Sequence, residues 1–389
     1  MKRREFLALN GAHFAVDAYA SIYGQMAAIV GLSPALLGIL GTVYSTATNF
    51  SQLLMGFLAD RRDLRWFLIG GLVIAAVFLS LAGLVSDSPV LFPISIVLGG
   101  LGISAFHPPG AVAAARFSRH RATLSVAVFV TLGGLGFSTG PALYTFFINQ
   151  MTLARSHYLM IPGLVIALAM LIFFRGSRSF LPTRSTKWTR NELKELTSSH
   201  GKEILPLFIF VVGRSTTFFS IAYFLPTIII GRGHSEIDAA TAHFVFCSSG
   251  SIGMLIVGAL VGHVNRRWIQ ISSLVVSVPL TFIAVYPGVP YPLMLSALAV
   301  AGLFGLCTNA MHVVMAQEIS PKHTNMLSSV VMGFAWGTGG LTSAVTGLLA
   351  GPMGTDNALL LTLCLPLGTL PLVVFLRPFP EKKVLAGES

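Results

Sequence analysis

Twelve apolar runs, separated by short polar or glycine-containing breaks, set the pattern of this chain. A helical crossing of a bilayer takes about 20 residues. The runs fall at 6–30, 36–59, 66–85, 90–115, 123–149, 158–174, 204–231, 239–261, 268–286, 292–316, 325–350 and 357–376. The pattern predicts an all-α polytopic membrane protein with twelve transmembrane helices. One polar segment is longer than the rest, "RGSRSFLPTRSTKWTRNELKELTSSHGKE" at 175–203. It divides the chain into a six-helix bundle (1–174), a cytoplasmic linker (175–203), a second six-helix bundle (204–376) and a cytoplasmic tail (377–389). A short amphipathic helix around Trp188 to Leu196, lying on the inner membrane surface, is expected within the linker. The linker is too short for a nucleotide-binding domain, which counts against a pump driven directly by ATP.

The first run begins like a secretory signal, with Lys2, Arg3 and Arg4 ahead of an apolar stretch that holds "AYA". That stretch also contains His13 and Asp17 and continues to Val30, so it is read as an uncleaved first helix. Composition agrees with a membrane protein. Of 389 residues, 54% are hydrophobic and 10% charged, with a mean hydropathy of +0.79; a soluble domain carries about 25% charged residues. Cys247, Cys307 and Cys364 all sit in apolar runs and read as small packing residues, with no disulfide or metal framework.

Charge sets the orientation. With the N-terminus in the cytoplasm, 22 of the 25 Lys and Arg residues fall on inner segments and only Arg155 and Arg232 outside. The last, Arg214, sits within a span. The net charge of +11 therefore reflects topology and anionic headgroups. A nucleic-acid protein would gather these residues on a folded polar domain, and the pattern holds none.

The halves repeat. "GFLADRRDLRW" (56–66) and "GALVGHVNRRW" (258–268) align at an offset of 202 through Gly56/Gly258, Leu58/Leu260, Arg65/Arg267 and Trp66/Trp268. "GGL" at 133–135 recurs at 339–341, and His107 and His312 are 205 residues apart. Two similar six-helix halves are the signature of a repeat-built transporter with its site near the midplane.

On these residues the chain resembles the major facilitator superfamily. Its first-half loop pattern is matched by Gly56, Asp60, Arg61 and Arg65; the second copy has Gly262 at the Asp position. "GFSTGP" (136–141) resembles the antiporter motif of the fifth helix, which is associated with exporters. "AHFAVDAYASIYGQMAAI" (12–29), "FHPPGAVAAARF" (106–117) and "MAQEISPKHTNMLSSVVMGFAWGTGGL" (315–341) resemble the fosmidomycin resistance protein family. The resemblance implies two pseudo-symmetric bundles working by alternating access, with helices 1, 4, 7 and 10 lining the cavity. It also implies conformational gating by Gly56, Asp60, Arg61, Arg65, Gly136, Gly140 and Pro141. A carboxylate at Asp60 can meet helix N-termini or arginines of the neighbouring bundle. The glycines of "TLGGLGFSTGP" let helices approach closely. No strand precedes them, which argues against a dinucleotide loop.

The clear intramembrane ionisable groups are His13, Asp17, His107, Arg214 and His312, and they fall on helices 1, 4, 7 and 10. At about 1.5 Å per residue, Asp17 lies about 16 Å and Arg214 about 15 Å from the start of its helix, near the midplane. A charge at that depth usually faces a cavity and has a partner. His13 and Asp17 share a helical face. Either these groups bind substrate and couple protons, or Asp17 and Arg214 form a packing ion pair with the histidines satisfied by neighbours. Tyr19, Tyr23, Gln25, Tyr44, Asn49 and Gln52 are secondary cavity candidates. Pro108 and Pro109 are expected to break the helix beside His107.

The function expected is that of a proton-coupled exporter of small amphiphilic or anionic compounds. It would sit in the cytoplasmic (inner) membrane as a functional monomer with both termini inside. It would need no cofactor beyond the proton gradient, no resident metal and no nucleic acid. Within transport the rival is export of a divalent metal or metal chelate, with three histidines and Asp17 as ligands; Arg214 would repel such a cargo. A membrane-embedded enzyme or a non-transporting sensor is the rival from another class, and neither a nucleophile motif nor an output domain supports it. The topology has a direct test. Single cysteines at Ser88 and Gly288 in a Cys-less background should react with an impermeant thiol reagent from outside, and cysteines at Thr186 and Ser320 should not. The reverse pattern would overturn the orientation.

Overall fold

The computed structural model describes residues 2–59, 62–117, 122–181, 190–260, 264–320, 327 and 329–376. Among them there is no β-strand. Among the described residues, eight helical segments are long and apolar enough to cross a membrane: Leu64–Leu84, Leu91–Ala115, Leu153–Phe174, Ser198–Gly231, Glu236–Leu260, Arg266–Val285, Tyr291–Ile319 and Thr355–Phe375. They coincide with the third, fourth, sixth to tenth and twelfth expected spans. The fifth is the helix Ala122–Met151, with Pro141 inside it. The other three are built from shorter pieces. The first is interrupted at Ser21, between Arg3–Ala20 and Ile22–Ile29. The second runs Pro34–Ser45, a π-helical stretch Thr46–Phe50, then Ser51–Ala59. The eleventh mirrors it, with a π-helical stretch Val330–Ala335 ahead of Trp336–Gly340 and Thr342–Met353.

Two local expectations change. The end of the linker forms no separate helix, because residues from Arg190 onward continue into the seventh span as one helix, Arg190–Gly231. Its sequence explains this: Glu, Leu and Lys are good helix formers, and no proline intervenes before Pro206. Trp188 lies outside the described residues. The fourth span is also unbroken, since Leu91–Ala115 runs through both Pro108 and Pro109. The prolines remove two backbone donors, yet the helix continues on either side of them.

The repeat seen in the sequence is a repeat of contacts. Asp63 caps the third span by accepting from the Arg65 amide at 3.0 Å, and Asn265 caps the ninth by accepting from the Arg267 amide at 2.9 Å. Arg65 then donates to the Phe174 carbonyl at 3.3 Å, and Arg267 to the Leu376 carbonyl at 3.1 Å. Each guanidinium thus ties the start of one span to the end of the last span in its half. Partial burial opposes ionisation of Asp63, but the bonds from Arg65 more than offset it, and the carboxyl titrates below its ordinary range.

Glycines bring the halves together at the end of the bundle away from the termini. Gly24 of the first span lies against the backbone of Ala222 and Tyr223 in the seventh. Gly38 of the second lies against Ser343 and Gly347 of the eleventh. The Thr42 hydroxyl accepts from the Ala344 amide at 3.0 Å across the same contact. Tyr23, fully buried, stacks on Tyr44 at 5.2 Å and meets Tyr223 edge-on at 5.0 Å. Nearer the terminal end the two π-helical stretches face each other: Phe50 meets Phe334 at 5.1 Å, and Gly333 lies against the Asn49 carbonyl. π-Helical turns often mark functional positions in helices.

Within the first half, Gly136 and Gly140 press the fifth span onto the backbone of the first, at Phe14 and Ala18. A Cβ at either position overlaps a carbonyl oxygen, which cannot move aside as a side chain tip can. Gly136→Val should therefore lower stability by about 1–3 kcal/mol, the usual cost of overpacking. Gly70→Ala, at a position open to space, should change it little. Thermal unfolding in detergent measures both; equal stabilities would contradict this packing.

Candidate functional site

The fifth span makes room for two polar side chains of the first. A Cβ on Gly133 would overlap the His13 ring and the Asp17 carboxylate, so only glycine leaves these groups where they are. His13 is buried, 4% exposed, and stacks on Phe129 with ring centres 3.7 Å apart. Its Nδ1 lies 2.7 Å from the Phe129 carbonyl oxygen. Its Nε2 lies 3.3 Å from Asp17 Oδ2. From the fourth span, His107 brings Nε2 to 2.8 Å from Asp17 Oδ1. One carboxylate is thus flanked by two imidazoles.

Hydrogen-bond geometry assigns the protons. A carbonyl oxygen only accepts, so His13 Nδ1 carries a hydrogen. In neutral His13 the Nε2 is then bare and faces a carboxylate oxygen, lone pair against lone pair. A proton on that line removes the conflict. His107 Nδ1 is enclosed without a partner, which fits the neutral ring with its hydrogen on Nε2, donated to Asp17. With one added proton the triad is electrically neutral; without it the triad carries one negative charge in a medium that penalises it. The side chains of Asp17 and His107 are 14% and 25% exposed. The geometry therefore has one position, between His13 Nε2 and Asp17 Oδ2, where an added proton would have a partner on each side. The three donor groups also lie within 4.8 Å of one another, close enough to share a cation.

The second half holds a different couple. Arg214, 6% exposed, points Nη1 at His312 Nδ1, 3.2 Å away, and Nη2 at the Gly305 carbonyl. His312 turns its Nε2 to Gln270 Oε1 at 2.8 Å, so its hydrogen sits there and Nδ1 accepts from the guanidinium. Among the described residues no carboxylate lies within 4 Å of Arg214. Asp17 and Arg214 do not form an ion pair. The three histidines are likewise divided: two stand on Asp17 and one on Arg214. Beside the arginine, Phe218 meets Trp336 at 5.0 Å and Phe137 at 5.4 Å, giving an aromatic wall between the halves.

The secondary candidates make structural bonds. Tyr19 donates to the Leu159 carbonyl at 2.6 Å and accepts from the Gly163 amide, joining the first and sixth spans. The Tyr23 and Tyr44 hydroxyls donate to the Leu37 and Ala20 carbonyls. Gln25 bridges the halves, donating to Thr145 at 2.9 Å and to the Glu236 carbonyl at 2.8 Å. Asn49 and Gln52 bond to carbonyls of their own span. Of the gating set, Asp60 and Arg61 lie outside the described residues. A Cβ on Gly56 would come into van der Waals contact with Pro108. Phe129, Gly133, Gln270 and Gly305 complete the two couples and were not singled out from sequence. Gly133 carried a signal, since it opens the repeated "GGL": its counterpart Gly339 packs on Ser215 of the seventh span as Gly133 packs on the first.

The family model described as Major Facilitator Superfamily matches residues 6–287. The chain is 25% identical over 341 residues to the fosmidomycin resistance protein of Escherichia coli (strain K12), covering 84% of this chain and 80% of that protein. It is 24% identical over 380 residues to the uncharacterized MFS-type transporter YfnC of Bacillus subtilis (strain 168), covering 95% and 91%. Among solved structures, a D-xylose-proton symporter superposes with a TM-score of 0.74 at 15% identity, covering 96% of this chain and 97% of that one.

The separation of the two couples has a thermodynamic consequence. Groups that share no partner contribute additively, within about 0.5 kcal/mol, whereas groups in one network couple by about 0.5–3 kcal/mol. The costs of Asp17→Asn and Arg214→Gln should add in the double variant, and those of Asp17→Asn and His107→Gln should not. Unfolding free energies of the three single variants and the two double variants decide this. A coupling between Asp17 and Arg214 as large as that between Asp17 and His107 would contradict the arrangement.

Proposed function

Because the chain belongs to the major facilitator superfamily, we propose that this multi-pass membrane transporter is a proton-coupled antiporter that exports small amphiphilic or anionic compounds. The observation that carries this reading is Asp17 held between His13 Nε2 and His107 Nε2. A carrier of protons must take one up and give it back, and this triad has one proton position whose occupancy changes its charge from negative to neutral. The charge asymmetry of the loops supports an orientation with both termini in the cytoplasm, and the proposed location is the cytoplasmic membrane.

The other half of the molecule bears on the cargo. Arg214 stays charged and offers a planar fork suited to carboxylate or phosphonate. The Phe218–Trp336 wall beside it suits an apolar body. The similarity to a protein named for resistance to fosmidomycin, a phosphonate, agrees with an anionic cargo. In the exchange cycle, protonation of the triad from outside and cargo release would favour one conformer, and proton loss to the cytoplasm the other. The glycine contacts between the first and seventh and the second and eleventh spans would have to part when the protein opens at that end. Export of a divalent cation is a second reading, favoured by the close approach of the three donor groups. It places the cargo where the first reading places the proton.

The two readings separate in proteoliposomes tested with fosmidomycin, amphiphilic carboxylates and divalent metal salts. On the proposed reading, a pH gradient drives accumulation of an organic anion by the wild type. Asp17→Asn abolishes accumulation while leaving exchange of anion for anion. Accumulation of the anion against its gradient by Asp17→Asn would refute the assignment of the proton to the triad. Pumping of metal alone, lost in the same variant, would establish the second reading.

A further inference from the structure

Arg214 is a buried cation that no described carboxylate answers. Guanidinium is not deprotonated in proteins, and an uncompensated charge in an apolar setting is costly. Its two bonded nitrogens meet neutral acceptors, the Gly305 carbonyl and His312 Nδ1. The third, Nε, is enclosed and has no partner. One turn along the same span, Thr217 is 8% exposed and its Oγ1 is also enclosed without a partner. Both residues line one crevice, which is walled by Phe246 and Leu306 and lies among the seventh, eighth, ninth and tenth spans.

The other hydroxyls on that crevice are committed. Ser277 donates to the Ser273 carbonyl and Thr281 to the Ser277 carbonyl. The unspent hydrogens are therefore those of Arg214 Nε and Thr217 Oγ1. The space is narrow, with room for about one water-sized particle, and too small for an organic anion. Water there would satisfy the donors but leave the charge uncompensated.

We propose that this crevice binds a small inorganic monoanion, a halide such as chloride, held by Arg214 Nε–H and Thr217 Oγ1–H. The site is a built-in counter-ion for the second half. It goes beyond the transport reading: the Trp336 wall reaches Arg214 from between the seventh, tenth and eleventh spans, so halide and cargo approach the guanidinium by different routes.

The test needs no cargo. Purified protein is unfolded thermally in sodium chloride, sodium bromide or sodium gluconate at matched concentrations. The wild type should show a saturable rise in unfolding temperature with chloride and bromide over gluconate. Thr217→Val should move the half-saturating halide concentration up several-fold, and Arg214→Gln should remove the saturable rise. Crystals grown in bromide should show anomalous density within hydrogen-bond reach of Arg214 Nε. No saturable rise in the wild type, the same rise in Arg214→Gln, or bromide crystals without that density would overturn the site. If Arg214→Gln does not fold, an unchanged half-saturation in Thr217→Val overturns it. Transport of a non-anionic cargo would refute the anion-export reading and leave this result unaffected.

Discussion

A charge in the middle of a bilayer has to be answered by a neighbouring group, and that requirement organises both halves of this protein. In the first half the answer is internal: two imidazoles flank Asp17, and one further proton makes the group neutral. In the second, the described neighbours of Arg214 are neutral acceptors, and the charge persists. The sequence repeat that relates His107 to His312 thus carries opposite electrostatics on its two copies. On the proposed reading this asymmetry separates the roles, with proton chemistry on one side and attraction of an anion on the other.

Small residues make such an arrangement possible. Polar groups at membrane depth must be enclosed by protein or face water, and enclosure requires helices to approach closely. Gly133 leaves space for His13 and Asp17, while Gly136 and Gly140 seat the fifth span against the first. The same device recurs between the halves at Gly24, Gly38 and Gly347. Contacts made of backbone against backbone carry little side-chain interlock, and on the proposed reading this seal parts and re-forms during transport. The matched π-helical stretches of the second and eleventh spans lie beside that seal and face one another across it.

Much of this was legible in the sequence, for physical reasons. Span positions follow from the length of apolar run that a bilayer demands, and the repeat follows from motif spacing. The intramembrane ionisable residues stood out because a lipid-embedded chain excludes charge without a reason. Partnership was not legible. His107 and His312 look equivalent in sequence, yet one meets a carboxylate and the other a guanidinium. Asp17 and Arg214 have opposite charges at similar depth, which suggested a pair, but local neighbours claimed each first. The helix break expected at Pro108 and Pro109 is absent, and the described part of the short helix expected in the linker belongs to the seventh span. A proline removes one hydrogen bond without dictating that the helix end, and a polar linker rich in helix formers extends the span it precedes. Tyr19, Tyr23 and Tyr44 were visible as polar groups, but only coordinates show that their hydroxyls are spent on backbone carbonyls of neighbouring segments.

On the proposed reading, His13 holds a fixed hydrogen on Nδ1 and shares an exchangeable one with Asp17 through Nε2. Nitrogen-15 spectra of histidine-labelled protein in lipid nanodiscs, recorded across a pH series and assigned by single His→Gln variants, test it most directly. The account predicts that His13 Nδ1 stays protonated throughout, that its Nε2 gains a hydrogen on acidification, and that this second step changes in Asp17→Asn. A His13 ring with a bare Nδ1 and a permanent hydrogen on Nε2 would contradict it.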